Sequence, residues 1–346
     1  MFSRAPVEAA PIGLATSRPD AAALWRMSTL RCAVLDDYQQ AALSSADWST
    51  ISSAVDVFSV QRHLATEAEV AAAIGDCDIA VIMRERTAFP ASLLARLPRL
   101  RLLVTTGMRN AAVDVAAARA RGIVVSGTAS AIHPPAELTW ALILALARRI
   151  VDEASAMRTD GPWQSTIGAD LQGRTLGILG LGRIGTKVAL VAQAFEMRVL
   201  AWSQNLTPDR AAAAGAGLAA SKQALLEQSD YLTIHLVLGD RTRGLVGADD
   251  LRRMKRTACL VNTSRAPIVD QEALVRALRE GWIAGAAVDV FDEEPLPPGH
   301  VLRTLPNLLA TPHLGYVTRR NYETFYREAV EDIRAFLDGA PIRLLE

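Results

Sequence analysis

Cysteine is scarce in this 346-residue chain: Cys32, Cys77 and Cys259 are the only three, and they lie far apart in apolar runs. An odd, scattered set neither builds a disulfide framework nor shows the paired spacing of a zinc site. It reads as reduced core thiols of a cytoplasmic protein, and no metal is expected. Net charge is also absent, with 37 Lys and Arg against 37 Asp and Glu. Without a basic field the chain has no means of drawing in nucleic acid or an anionic membrane surface, and neither partner is expected. No apolar run is long enough to span a bilayer; the longest, 138–147, ends at Arg148 and Arg149. Nor do the first residues carry the apolar segment of a signal peptide. Residues 1–29, rich in Ala, Pro, Arg and Ser, are expected to form a disordered extension, with Met27 a candidate internal start.

What is present is apolar residues, which make up 50% of the chain. That is ample for two cores, and the length exceeds what one core usually organises. From Leu30 short apolar runs alternate with helical stretches. Residues 32–35, 55–60, 79–83, 102–105 and 123–125 read as strands, with helices over 66–74, 92–97 and 113–120 between them. Such alternation implies a parallel sheet covered on both faces. Pro134 and Pro135 open a helix over 136–150 that is apolar nearly all round, and so needs cover on more than one side, including from a second subunit. A second alternation follows, with strands starting at Leu176 and over 199–202, 231–235, 259–262, 286–290 and 308–310, then a last helix over 322–337.

The second alternation opens on R-T-L-G-I-L-G-L-G-R-I-G, in which Gly180, Gly182 and Gly185 form G-x-G-x-x-G between a strand and a helix. Gly180 allows a tight turn, Gly182 lets backbone approach a pyrophosphate, and Gly185 lets helix pack on strand. The helix N-terminus then offers N–H groups to the anion. This is a dinucleotide site. The acidic residue that bonds the adenosine ribose belongs at the end of the next strand, yet Ser203, Gln204 and Asn205 stand there. With no carboxylate to repel a 2′-phosphate and no Arg or Lys before Arg210, use of both NAD and NADP is expected.

Three further stretches fall at strand carboxyl ends, where open α/β sheets bind ligands. They are V-N-T-S-R-A-P-I-V-D (261–270), V-D-V-F-D-E-E-P (288–295) and T-P-H-L-G-Y-V-T (311–318), supplying Arg265, Glu294 and His313. Histidine is the side chain suited to moving a proton in both directions near neutrality, a carboxylate beside it orients the ring, and a planar guanidinium bridges a carboxylate and its neighbouring carbonyl.

In order and spacing these motifs and the glycine turn resemble the D-isomer-specific 2-hydroxyacid dehydrogenase family, over the chain from about Leu30 to the end. The resemblance implies a Rossmann cofactor domain (131–315) inserted into a flavodoxin-like substrate domain (30–130 plus 316–346), both α/β with doubly wound parallel sheets, and a homodimer. It implies hydride transfer between NAD(P) and C2 of a small 2-hydroxy or 2-oxo acid. In that scheme His313 is the general acid/base, Glu294 tunes it and Arg265 binds substrate. Cofactor contacts fall on Gly180, Gly182, Arg183, Ile184 and Gly185 at the pyrophosphate, Ser203 and Gln204 at the ribose, and His235, Leu236 and Val237 along the adenosine half. Thr263, Asp289 and Gly315 lie near the nicotinamide. T-T-G-M-R-N (105–110) resembles the family's substrate loop, placing Gly107, Met108 and Arg109 at the substrate carboxylate, and Arg86 lies on a neighbouring loop. The chain departs from the family at Arg109, Ala111, Val237, Ala266 and Tyr316, the last two bearing on pocket size. Two alternatives share the fold: a formate or phosphite dehydrogenase relative, the former expected to carry glutamine at position 294, and a dinucleotide-sensing scaffold resembling the C-terminal-binding-protein corepressors.

Overall fold

The computed structural model describes residues 29–346. The expected N-terminal extension, apart from Thr29, lies outside the described residues. The chain divides into two units, one running to Gly127 and resuming at Glu328–Glu346, the other Thr128–Arg327. The sequence reading placed the return near 316; the structure carries residues 316–327 in the second unit. Packing explains this. The Tyr316 ring packs edge-on to the His313 ring at 5.6 Å, and Asn321 Oδ1 accepts from Ala131 N–H at 3.1 Å, both partners belonging to the second unit.

The first unit contains β1 (Leu30–Val34), β2 (Val55–Ser59), α1 (Glu67–Ile74), β3 (Ile79–Ile82), α2 (Ala91–Leu94), β4 (Leu102–Thr105), α3 (Val115–Ala120) and β5 (Val124–Gly127). Its five strands are all parallel in the order β2-β1-β3-β4-β5, the flavodoxin-like arrangement. The runs I-A-V-I in β3 and L-L-V-T in β4 are buried throughout, as a sheet covered on both faces requires. Helix α1 starts at a capping box, Thr66 accepting from Glu69 N–H while the Glu69 carboxylate accepts from Thr66 N–H. The C-terminal segment lies along β5, with Leu345 N–H bonded to the Val125 carbonyl and Gly127 N–H to that of Arg343.

The second unit contains α4 (His133–Arg148), α5 (Ile150–Arg158), β6 (Thr175–Leu179), α6 (Arg183–Ala194), β7 (Arg198–Trp202), α7 (Pro208–Ala213), β8 (Gly217–Leu218), α8 (Lys222–Gln228), β9 (Tyr231–Ile234), α9 (Ala248–Arg253), β10 (Cys259–Asn262), α10 (Gln271–Arg279), β11 (Gly285–Val288) and β12 (Leu308–Ala310). Helix α11 (Arg319–Leu337) begins here and runs into the first unit's C-terminal segment. The seven-stranded sheet is parallel, ordered β12-β11-β10-β9-β6-β7-β8. Strand order reverses between β6 and β9, the crevice where a Rossmann sheet takes its dinucleotide. Two elements differ from the sequence reading. The helix expected over 136–150 stops at Arg148, because Arg149 adopts a left-handed backbone (φ 51°), and a separate helix α5 follows with no buried residue. Strand β8 is two exposed residues, too short for any periodicity to mark it.

Candidate active site

The glycine turn behaves as its spacing implies. Gly180 has φ +98°, and a β-carbon there would stand 2.7 Å from the His235 carbonyl; at Gly185 one would stand 2.2 Å from the Gly180 carbonyl. Both glycines are required by close backbone approach. Gly182 differs, since nothing lies within 4 Å of a β-carbon built on it. It is the N-cap of α6 and supplies no side-chain cap, so the first-turn N–H groups at Arg183, Ile184 and Gly185 face an open cradle. That is the space and charge a pyrophosphate needs. Ser203 and Gln204 follow β7 directly, and His235, Leu236 and exposed Val237 follow β9. The Leu236 carbonyl accepts from the Ser264 hydroxyl, tying this loop to the one after β10. Thr263 pairs through its hydroxyl with Thr139 of α4 at 2.9 Å.

Arg265, Glu294 and His313 stand in the loops after β10, β11 and β12, at one edge of one sheet. Asn262, at the end of β10, shapes the first loop, its amide donating to the Arg265 carbonyl (3.0 Å) and its oxygen accepting from Ser264 N–H (3.0 Å). His313 Nδ1 lies 2.6 Å from Glu294 Oε2, and Glu294 Oε1 accepts from Phe291 N–H at 2.9 Å. The carboxylate is thus held on one side by backbone and holds the imidazole on the other. Both side chains are about one-fifth exposed, 21% and 22%, dry enough for the pair to be strong and wet enough for a ligand to reach it.

Asp289 organises the loop that presents His313. Fully buried, it accepts from the Thr311 hydroxyl (2.7 Å), Leu314 N–H (2.7 Å) and Gly315 N–H (2.8 Å). Burial pushes its carboxyl up, against the pull of those three donors and of His313. A β-carbon at Gly315 would lie 3.2 Å from Asp289 Oδ2. Tyr316 packs edge-on to the His313 ring at 5.6 Å, so the large residue at this position forms a wall beside the imidazole. His235, bonded to the Thr233 hydroxyl at 3.0 Å, is pushed by burial down to about 4.

In the first unit, Gly107 (φ +101°) follows β4, with Met108 and Arg109 exposed beside it. The Asn110 amide anchors this loop on the Arg84 carbonyl (2.6 Å) and Thr105 Oγ1 (2.9 Å). A β-carbon at Gly107 would meet Arg84 Nη1 at 2.9 Å, which puts the Arg84 guanidinium against the loop. Arg86 instead lies over the Tyr38 ring, 5.2 Å from its centroid. Sequence reasoning passed over Arg84, Asn262 and Thr139. For Asn262 the signal was available, as Asn two residues ahead of a turn commonly bonds its own backbone; for Arg84 and Thr139 only tertiary contact reveals the pairing.

A glycine turn opening onto a helix N-terminus and a histidine–carboxylate pair on one sheet edge are features that a nicotinamide-dependent oxidoreductase needs. Comparison with known proteins narrows the class. The family model for the D-isomer specific 2-hydroxyacid dehydrogenase NAD binding domain matches residues 140–315. A glyoxylate reductase of Aeropyrum pernix is 43% identical over 256 residues, 71% of this chain and 76% of that protein. A glycerate dehydrogenase of Methylorubrum extorquens is 34% identical over 292 residues, 81% and 89% of the two chains. The crystal structure of a phosphoglycerate oxidoreductase from Vibrio cholerae superposes with a TM-score of 0.86 at 35% identity, covering 90% of this chain and all of that one. The chain belongs to the D-isomer specific 2-hydroxyacid dehydrogenase family, and is an oxidoreductase that takes NAD(P) and acts on the CH–OH group of a 2-hydroxy acid.

Proposed function

We propose that this enzyme interconverts a small 2-oxo acid of the glyoxylate class and its 2-hydroxy acid, with His313 as general acid/base, Glu294 orienting it and Arg265 binding the substrate. The observation that carries the reading is the 2.6 Å contact between His313 Nδ1 and Glu294. It commits Nδ1 to the carboxylate and makes Nε2 the atom that exchanges a proton with the C2 oxygen. Bound nicotinamide supplies or accepts the hydride. Arg265 bridges the substrate carboxylate and the polarised carbonyl oxygen, and Asp289 is a positioning residue that fixes the His313 loop. Gly180, Gly182, Arg183, Ile184 and Gly185 hold the pyrophosphate, Ser203 and Gln204 the ribose, His235, Leu236 and Val237 line the adenosine half, and Thr263 and Gly315 flank the nicotinamide. On this reading residues 128–327 form the cofactor domain. The other unit is the substrate domain, whose Gly107, Met108 and Arg109 offer main-chain N–H groups to a carboxylate.

The named relatives are reductases and dehydrogenases, and Glu294 stands where a formate enzyme is expected to carry glutamine, so the scaffold and formate readings find less support. Three free thiols agree with a cytoplasmic setting, and among the described residues no helix is long and apolar enough to cross a membrane. Exposed large apolar side chains concentrated in residues 150–167, Ile150, Val151, Met157, Trp163 and Ile167, support a homodimer. A panel of glyoxylate, hydroxypyruvate and branched 2-oxo acids, assayed with NADH and NADPH, tests the activity. Turnover of glyoxylate or hydroxypyruvate above the branched acids is expected; no turnover of any 2-oxo acid would reject the reading.

A further inference from the structure

The loop after β7 carries Ser203, Gln204 and Asn205 where an NAD-type site carries the acidic residue that bonds the ribose hydroxyls. Along the chain the first cation after it is Arg210. In space there is another. Arg241, 37 residues beyond Gln204, arrives on the loop that follows β9, and its Nη1 donates to Gln204 Oε1 at 3.4 Å. Arg210 reaches the same loop from the other direction, with Nη1 3.5 Å from the Asn205 carbonyl. Both arginines are exposed, and among the described residues neither guanidinium is engaged by a carboxylate.

Arg241 stands on an ordered turn. The Thr242 hydroxyl donates to the Val237 carbonyl at 2.7 Å and accepts from Gly239 N–H at 2.9 Å, and Gly244 N–H bonds the Pro267 carbonyl at 2.8 Å. The turn fixes the backbone from which the guanidinium reaches Gln204. Two guanidinium groups therefore bond the loop of Ser203, Gln204 and Asn205, which carries no acidic residue of its own.

We propose that Arg241, with Arg210, forms a subsite for the 2′-phosphate of NADP(H), and that Arg241 makes this enzyme selective for NADP(H) over NAD(H). The proposal rests on the reading of Ser203 and Gln204 as the ribose end of the cofactor site. A phosphate monoester carries close to two negative charges at neutral pH, and a planar guanidinium engages two of its oxygens at once. Gln204 now holds the Arg241 fork in the loop and passes it to the phosphate when the nucleotide arrives.

The test is calorimetric titration of the full chain with two probes, 2′,5′-ADP and 5′-ADP, which report the subsite with no substrate present. The native protein is expected to bind 2′,5′-ADP at least about tenfold more tightly than 5′-ADP. In Arg241→Ala that ratio falls to within about threefold, and in Arg241→Glu it inverts; the ratio of efficiencies with NADPH and NADH moves in parallel. Unchanged thermal melting of both variants separates lost recognition from lost fold. Equal binding of the two probes by the native protein, or a ratio that survives Arg241→Ala, overturns the proposal and leaves the cofactor site standing. Binding of neither probe overturns the cofactor-site reading along with it.

Discussion

His313 holds a backbone (φ 54°) that L-residues other than glycine seldom adopt, at a cost of about 1 to 3 kcal/mol. The three hydrogen bonds into Asp289 keep the loop there, and the strained turn aims the imidazole at Glu294. Replacing His313 with Ala should lower turnover by about 10²- to 10⁴-fold while the dissociation constant for the dinucleotide changes little. Near-native turnover of that variant would remove His313 from the mechanism. Glu294→Gln should keep the loop and lower turnover, because a neutral amide orients the imidazole less firmly than the carboxylate 2.6 Å from Nδ1 does; unchanged turnover would show that Glu294 does not position His313. His235 is a different case. Burial lowers its imidazole from 6.5 to about 4, so between those values the unfolded chain binds more protons there than the native one. Its contribution to stability is therefore full above pH 6.5 and lost as pH falls toward 4. The urea midpoint of the native protein should drop more steeply between pH 7 and 4.5 than that of His235→Gln. Matching slopes would show that His235 is solvated in the folded state.

At the scale of elements, the β6–turn–α6 unit separates two uses of glycine that the motif writes identically. At Gly185 a β-carbon has backbone 2.2 Å away and nowhere to go. Gly185→Ala should push α6 off β6 and destabilise the protein by roughly 1 to 3 kcal/mol, read as a lowered denaturation midpoint. At Gly182 there is only open space, so Gly182→Ala should melt close to the native protein and lose dinucleotide affinity. A Gly182→Ala protein that binds NADPH as well as the native one would mean that the cofactor's phosphates lie elsewhere. The strand–turn–helix was legible from the chain because each part has a local cause: a buried run T-L-G-I-L, fixed glycine spacing, and Val188, Ala189 and Ala192 on one helix face. The break at Arg149 was not, since a left-handed arginine leaves no mark in the pattern of apolar residues.

For the molecule as a whole, the exposed apolar side chains of residues 150–167 bear on the proposed dimer. Trp163 is 75% exposed and Ile167 99%, while α5 buries none of its own residues. Large exposed side chains grouped in one segment favour association of two copies. The native chain should sediment as a dimer, and Met157→Glu with Trp163→Glu should give a folded monomer. A native chain that sediments as a monomer at micromolar concentration would refute the dimer.

By itself the sequence determined the two alternations of strand and helix, because strands buried on both faces of a parallel sheet must be short continuous apolar runs. It also put Arg265, Glu294 and His313 in loops that follow strands of one sheet, because each stretch comes after such a run. Tertiary structure alone decided how those residues are held. Asp289 reaches Thr311, Leu314 and Gly315 more than twenty residues along the chain, residues 316–327 meet the second unit through Asn321 on Ala131 and Tyr316 on His313, and Arg241 comes to Gln204 past the intervening strand β6. These depend on which loops the strand order sets side by side, and β9 lies beside β6, next to β7, only after the sheet has formed. Periodicity along one segment carries no record of that neighbour.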